Sequence, residues 1–188
     1  MRIDKHLNLV VSVQRDESTI YVHSTPISRE VFERFFIVIS KAFAKVYNEG
    51  IGFNAGPRVA ALLIKKVAME MGVWDGPEGI QSGLMQEIYR LTNVITWSEK
   101  GWTTVPLSMA KDQGVFSEDE IAETEGTICF FILTSAMHKK SQKAAVFKVM
   151  NDLWDTQNTL LNSTEYAASL PKLTETDSSG VTPDPKVP

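Results

Sequence analysis

Between Val31 and Tyr47 apolar residues return at every third or fourth position: Val31, Phe32, Phe35, Phe36, Ile39, Phe43, Val46 and Tyr47. Such spacing gathers the apolar side chains on one side of a helix about five turns long. Ser28 supplies a side-chain oxygen for the open N–H groups at its start, and Glu30 sets a negative charge near the helix's positive end. A stripe this wide needs a second layer to cover it, so other elements must pack against this helix. The apolar pattern stops at Leu170. Beyond it runs Pro171-Lys-Leu-Thr-Glu-Thr-Asp-Ser-Ser-Gly-Val-Thr-Pro-Asp-Pro-Lys-Val-Pro188, with no aromatic and little to bury, so burial cannot offset the entropy of ordering it. Residues 1–170 are therefore expected to form a single globular, mostly helical domain, and residues 171–188 a flexible C-terminal tail.

Ahead of the long helix, Leu7, Leu9, Val11 and Val13 alternate with other residues, and Thr19-Ile-Tyr-Val-His23 follows the polar tetrad Arg15-Asp-Glu-Ser18. This is the signature of an N-terminal β-hairpin, which two strands alone cannot stabilise and which must pack on helices. After the long helix Gly50, Gly52 and Gly56 break the pattern, and Pro57 stands at an expected first helical position. Val59, Leu62, Leu63, Val67 and Met71 form the stripe of a second helix, with Gly72 as its left-handed cap. Leu84, Ile88, Leu91 and Ile95 mark a third, and the short links make the three antiparallel neighbours.

Ile95-Thr-Trp97 and Trp102-Thr-Thr-Val105 flank Ser98-Glu-Lys-Gly101 as a second small hairpin with facing tryptophans, or as a loop over the core. Pro106 to Gln113 reads as a short helix ended by Gly114. Ser117 and Glu120 fit a capping box, and the helix it opens is apolar all round from Ile128 to Leu133, which places it centrally; a buried strand over Ile128 to Thr134 is the rival. Val146, Phe147, Met150, Leu153 and Trp154 define a final helix that fades near Leu161, and Asn162 to Leu170 is a weakly patterned bridge to the tail. The expected fold class is mainly α (α+β), about five to six helices with an N-terminal β-hairpin and a second small hairpin.

Signals for chemistry are sparse. Lysine and arginine number 19 against 23 acidic residues, a net charge of -4, which argues against the concentrated basic surface that nucleic acid requires. Lys65-Lys66 and Lys139-Lys140 read as solvated helix faces. The longest apolar run, Thr127 to Met137, is about half the ~20 residues of a membrane-spanning helix and reads as core. Met1-Arg-Ile-Asp-Lys-His6 carries mixed charge and lacks the apolar stretch of a secretory signal, so a cytoplasmic location is expected. Cys129, the single cysteine, lies in Ile128-Cys-Phe-Phe-Ile132 as a small buried hydrophobe.

His6, His23 and His138 fall on separate elements without metal-site spacing and read as surface or turn residues, although His6 and His23 could approach across the first hairpin. Gly50 to Pro57 lacks the Gly-Lys-Ser/Thr end of a phosphate loop, and no serine stands in Gly-x-Ser-x-Gly. Glu123 and Glu125 read as a solvated helix face rather than a hydrolase pair. No catalytic residue, cofactor or metal is expected, and the chain reads as non-enzymatic. Phe32, Phe35, Phe36 and Phe43 are core candidates, but any part of their face left uncovered becomes a groove for a partner or for self-association into a homo-oligomer; they are the candidate partner-binding residues.

Four stretches carry a resemblance: Thr25-Pro-Ile-Ser-Arg-Glu-Val-Phe-Glu33, Ala55-Gly-Pro-Arg-Val-Ala-Ala-Leu62, Gly83-Leu-Met-Gln-Glu-Ile-Tyr-Arg-Leu-Thr-Asn93 and Asn162-Ser-Thr-Glu-Tyr-Ala-Ala-Ser-Leu170. Read together they resemble the tail assembly chaperones of tailed phages with long, non-contractile tails. The resemblance implies a small helical protein of the host cytoplasm that binds the tape measure protein, shields its apolar surfaces and guides tail-tube assembly around it, with the tail tube protein as a further partner. It also implies a C-terminus that ribosomal frameshifting extends in some copies. Two other readings are a structural virion component, such as a head-tail connector or minor tail protein, and a helical DNA-binding regulator, which the acidic balance disfavours.

Overall fold

The computed structural model describes residues 7–15, 18–99 and 101–172. β1 (Asn8–Gln14) and β2 (Thr19–Ser24) pair antiparallel, with Val10 opposite His23 and Val13 opposite Ile20. This hairpin is the middle of a larger sheet. β2 also pairs with β3 (Thr92–Ser98), β3 with β4 (Gly101–Pro106), and β1 with β5 (Thr156–Thr159), all antiparallel, in the order β4-β3-β2-β1-β5. The second hairpin is thus a pair of strands and not a loop: Trp97 stands opposite Trp102, their rings edge-on at 5.3 Å. Strand alternation sends Leu9, Val11, Ile20, Val22 and Val94 to one face of the sheet and Val10, Tyr21, Ile95 and Trp102 to the other.

The first face carries the main core. There lie α1 (Arg29–Asn48), α2 (Gly52–Glu70) and α5 (Glu118–Met137), with α6 (Lys140–Leu153) beside them. α5 is the centre: each side chain from Ile128 to Leu133 is at most 1% exposed, and each large one contributes about 1.5–3 kcal/mol by leaving water. Its start is the capping box, Ser117 Oγ accepting from the Glu120 N–H at 3.3 Å and Glu120 Oε2 from the Ser117 N–H at 2.7 Å, so this segment is helix and the rival strand is excluded. Gly126 lets α2 come close, since a Cβ there would lie 2.2 Å from the Pro57 carbonyl oxygen. Cys129 is fully buried in the same helix, as a hydrophobe.

Several boundaries differ from the sequence reading. α2 begins at Gly52, so Pro57 stands inside it rather than at its first position. Its buried residues are Gly56, Pro57, Ala60, Ile64, Val67 and Ala68, whereas Leu62 is 65% exposed. Gly56 faces α5, where a Cβ would lie 2.4 Å from the Phe130 ring. The third helix is short, a π-helical turn at Gln81–Met85 running into α3 (Gln86–Arg90), and Ile95 belongs to β3. Thr92 Oγ1 donates to the Ile88 carbonyl at 2.8 Å, closing the helix where the strand begins.

α4 (Leu107–Asp112) follows β4, and Gly114 with φ 66° turns the chain after it. The final patterned helix, α6, stops at Leu153, and the weakly patterned bridge is two elements, β5 and α7 (Ser163–Ser169), the latter capped by Asn162 and Glu165. Seven α-helices are present among the described residues, against the five to six expected. Of the anticipated tail, Pro171 and Lys172 are described; residues 173–188 lie outside the described residues, as does His6.

Candidate partner-binding cleft

The four phenylalanines of α1 do not share one environment. Residues 35 and 36 sit about 100° apart around a helix axis, and Phe35 itself has φ -107° and ψ 16°, a kink in the middle of α1. The face buried by the core is therefore Phe35, Val38, Ile39, Ala42 and Val46. Phe35 packs against Gly83, where a Cβ would lie 2.4 Å from its ring, and the Arg34 guanidinium lies 5.2 Å from the ring centre. Phe43 is half-buried, its ring 4.5 Å from that of Tyr47 and tilted to it, and edge-on at 5.6 Å to His138. Phe32 is half-buried against the core and meets the outward Phe36 edge-on at 5.6 Å, with Phe36 44% exposed.

Phe32 also lines a cleft of about 410 Å³ between the start of α1, the end of α5 and α6. Leu7, Pro26, Ile27, Ile132, Ala136 and Phe147 supply the rest of its apolar lining, and Arg29, Glu33, Ser135 and Lys143 its polar rim. Arg29 Nε donates to Glu33 Oε1 at 2.7 Å, and Lys143 Nζ to Ser135 Oγ at 3.4 Å. Glu33 holds the Arg29 guanidinium above its ordinary pKa through that hydrogen bond and its charge. Sequence reasoning found Phe32 as a candidate and Phe147 as a helix stripe, but the cleft joins segments distant in the chain, and no local pattern announces it. Elsewhere on α1 a smaller depression of about 260 Å³ is lined by Phe35, Ile37, Val38, Met71, Val73 and Ile80, with Arg34 and Glu78, paired at 2.7 Å, also in its lining. Ile37 there is 53% exposed.

Two polar expectations are corrected. Glu125 is not part of a solvated face: it pairs with Lys111, accepts from Tyr89 Oη at 3.1 Å, and has an 18% exposed side chain. Burial first and the Glu125 charge second push both the Tyr89 phenol and the Cys129 thiol up. His23 is not a surface or turn residue but 1% exposed within β2, its Nε2 3.0 Å from the Leu161 carbonyl. His138 caps the end of α5, with Nδ1 2.9 Å from the Thr134 carbonyl.

Among the described residues no group of three or more His, Cys, Asp or Glu is placed to hold a metal ion, and no helix is long and apolar enough to cross a membrane. What the cleft offers is hydrophobic contact with charges of both signs at its edge, the pattern of a groove that takes an amphipathic segment. Comparison with protein families, curated proteins and solved structures finds no match to this chain.

Proposed function

We propose that this chain is an assembly chaperone for a long, non-contractile phage tail, binding the tape measure protein in the host cytoplasm. The observation that carries the reading is the cleft at Phe32 and Phe147, concave, apolar and rimmed by Arg29, Glu33 and Lys143. An amphipathic helix lays its apolar residues into such a groove and leaves its charged residues at the rim. A tape measure protein is long and amphipathic, and while it waits for its tube it exposes surfaces that aggregate. Covering them segment by segment requires binding and no bond chemistry. The net charge of -4 favours solubility of the complex.

Co-expression with the tape measure protein of the same genome tests this. The expected result is a gain in tape-measure solubility and a complex that survives purification, with Phe32→Ala weakening binding by roughly tenfold, as for an anchor residue at an interface. Absence of any complex, together with unchanged tape-measure solubility, overturns the reading. Retention of the chain in purified particles would assign it instead to the virion structure.

A further inference from the structure

We propose that α7, with the segment leading into it, is a pH-releasable strap over the outer face of the sheet, and that His23 is its trigger. That face carries Val10 and Ile95, both fully buried, and what buries them is a small second core built on Tyr166 and Ala167 of α7. The strap is fastened at both ends. At its start the Leu161 carbonyl accepts from Asn8 Nδ2 at 2.9 Å and from His23 Nε2 at 3.0 Å; at its end the Pro171 carbonyl accepts from Trp102 Nε1 at 2.8 Å. Between them the Tyr166 ring lies 5.9 Å from Tyr21 and 6.4 Å from His23, and its Oη accepts from Gln157.

To donate to Leu161, His23 must carry its proton on Nε2. Nδ1 is then an acceptor, buried and without a hydrogen-bond partner among the described residues, as is Asn8 Oδ1 on the neighbouring strand. A second proton on the ring makes a buried cation. Among the described residues the titratable groups facing it are the phenols of Tyr21 on β2 and Tyr166 on α7; β1 presents Asn8 and Val10, and β3 sets Asn93 opposite. Glu165, the one charged residue of α7, is turned to the Asn162 N–H at 2.9 Å. Burial accordingly holds the imidazole below its ordinary 6.5, although the Leu161 carbonyl and the backbone of His23 itself pull the other way.

The sign follows by linkage. The closed strap needs neutral His23, and the open one exposes a ring that takes a proton near the ordinary value. The strap therefore holds fully above about pH 6.5 and loosens as pH falls below it, by at most about tenfold per unit, until the lower closed-state pKa is passed.

Backbone hydrogen exchange on the full chain, between about pH 7.5 and about pH 5 and corrected for intrinsic exchange, reads this directly. The expected result is that α7 amides lose roughly tenfold in protection relative to α5 amides. His23→Gln keeps a donor for Leu161 without a titrating proton and should flatten the response; His138→Gln should leave it intact. Unchanged α7 protection in the unaltered chain, or the same loss in His23→Gln, overturns the proposal. Should His23→Gln fail to fold, the His23 ring resonances of the unaltered chain decide: titration below the ordinary value, in step with α7 opening, supports the strap, and titration with α7 closed throughout refutes it.

Discussion

Trp154 Nε1 donates to the Phe53 carbonyl at 2.9 Å, across 101 positions of sequence. In an unbroken helix that carbonyl would accept from residue 57, but Pro57 has no N–H to give. The indole at the end of α6 thus occupies the vacancy that a proline leaves in α2. Trp154→Phe should lower stability by about 1–2 kcal/mol, seen as a lower urea midpoint at unchanged slope. The loss should shrink in a Pro57→Ala background, where the restored N–H takes the carbonyl; an equal loss in both backgrounds would show that packing, and not the hydrogen bond, was removed.

Gly126→Ala sets two effects against each other. Alanine in a helix gains about 1 kcal/mol over glycine. Here, however, the new Cβ would meet the Pro57 carbonyl oxygen at 2.2 Å and the Arg58 carbonyl carbon and oxygen at 3.3 Å, backbone atoms of another helix that cannot swing aside. Overpacking of about 1–3 kcal/mol or more should prevail, so thermal unfolding is expected to shift downward; an upward shift would mean that α2 and α5 can separate at little cost.

Acid should act partly through Glu120. Hydrogen bonds from Arg15 and from the Ser117 N–H hold its carboxyl down at about 2, below the usual 4.5. A depressed carboxylate stabilises the fold above its unfolded pKa, and that contribution is lost as pH falls from about 4.5 towards 2. Arg15→Ala should raise the Glu120 pKa in an NMR titration and flatten the acid limb of stability between those values.

Ion pairs should differ in worth by their surroundings. Lys111 pairs with Glu125 beneath the Tyr89 ring, their side chains 29% and 18% exposed, and Lys111→Met leaves the carboxylate half-buried without its cation. A cost of about 2 kcal/mol is expected, below the ~3–5 kcal/mol of a fully buried pair. Arg29, at 89% exposure, also faces a carboxylate, and Arg29→Ala should leave the urea midpoint unchanged. Equal effects of the two substitutions would contradict the burial assigned to Glu125.

The elements legible in the sequence were those written locally. Ser28 and Ser117 cap their helices as expected, Trp97 faces Trp102, and the all-apolar run of α5 lies at the centre. What escaped was determined by tertiary contact. Leu84, Ile88, Leu91 and Ile95 keep helical spacing across a boundary at which β2 offers Ile95 a strand partner. Thr156-Gln-Asn-Thr159 has no apolar alternation and becomes β5 because β1 presents an open edge. For α7 a local signal existed, the capping box of Asn162 and Glu165. Of the candidate site, the phenylalanine stripe was readable, but its division into a buried Phe35, half-buried Phe32 and Phe43 and an outward Phe36 depends on the kink and on what covers each face.

The pairing of β1 with β5 also sets an order of events during synthesis. On the edge turned away from β2, Asn8 to Val11 find their partners at Thr156 to Thr159. At a ribosomal speed of about 5–20 residues per second, the nascent chain carries that unsealed edge for on the order of 10 s. During that interval this edge of β1 is open to whatever strand it meets first, so the newborn chain is exposed to mispairing until β5 emerges.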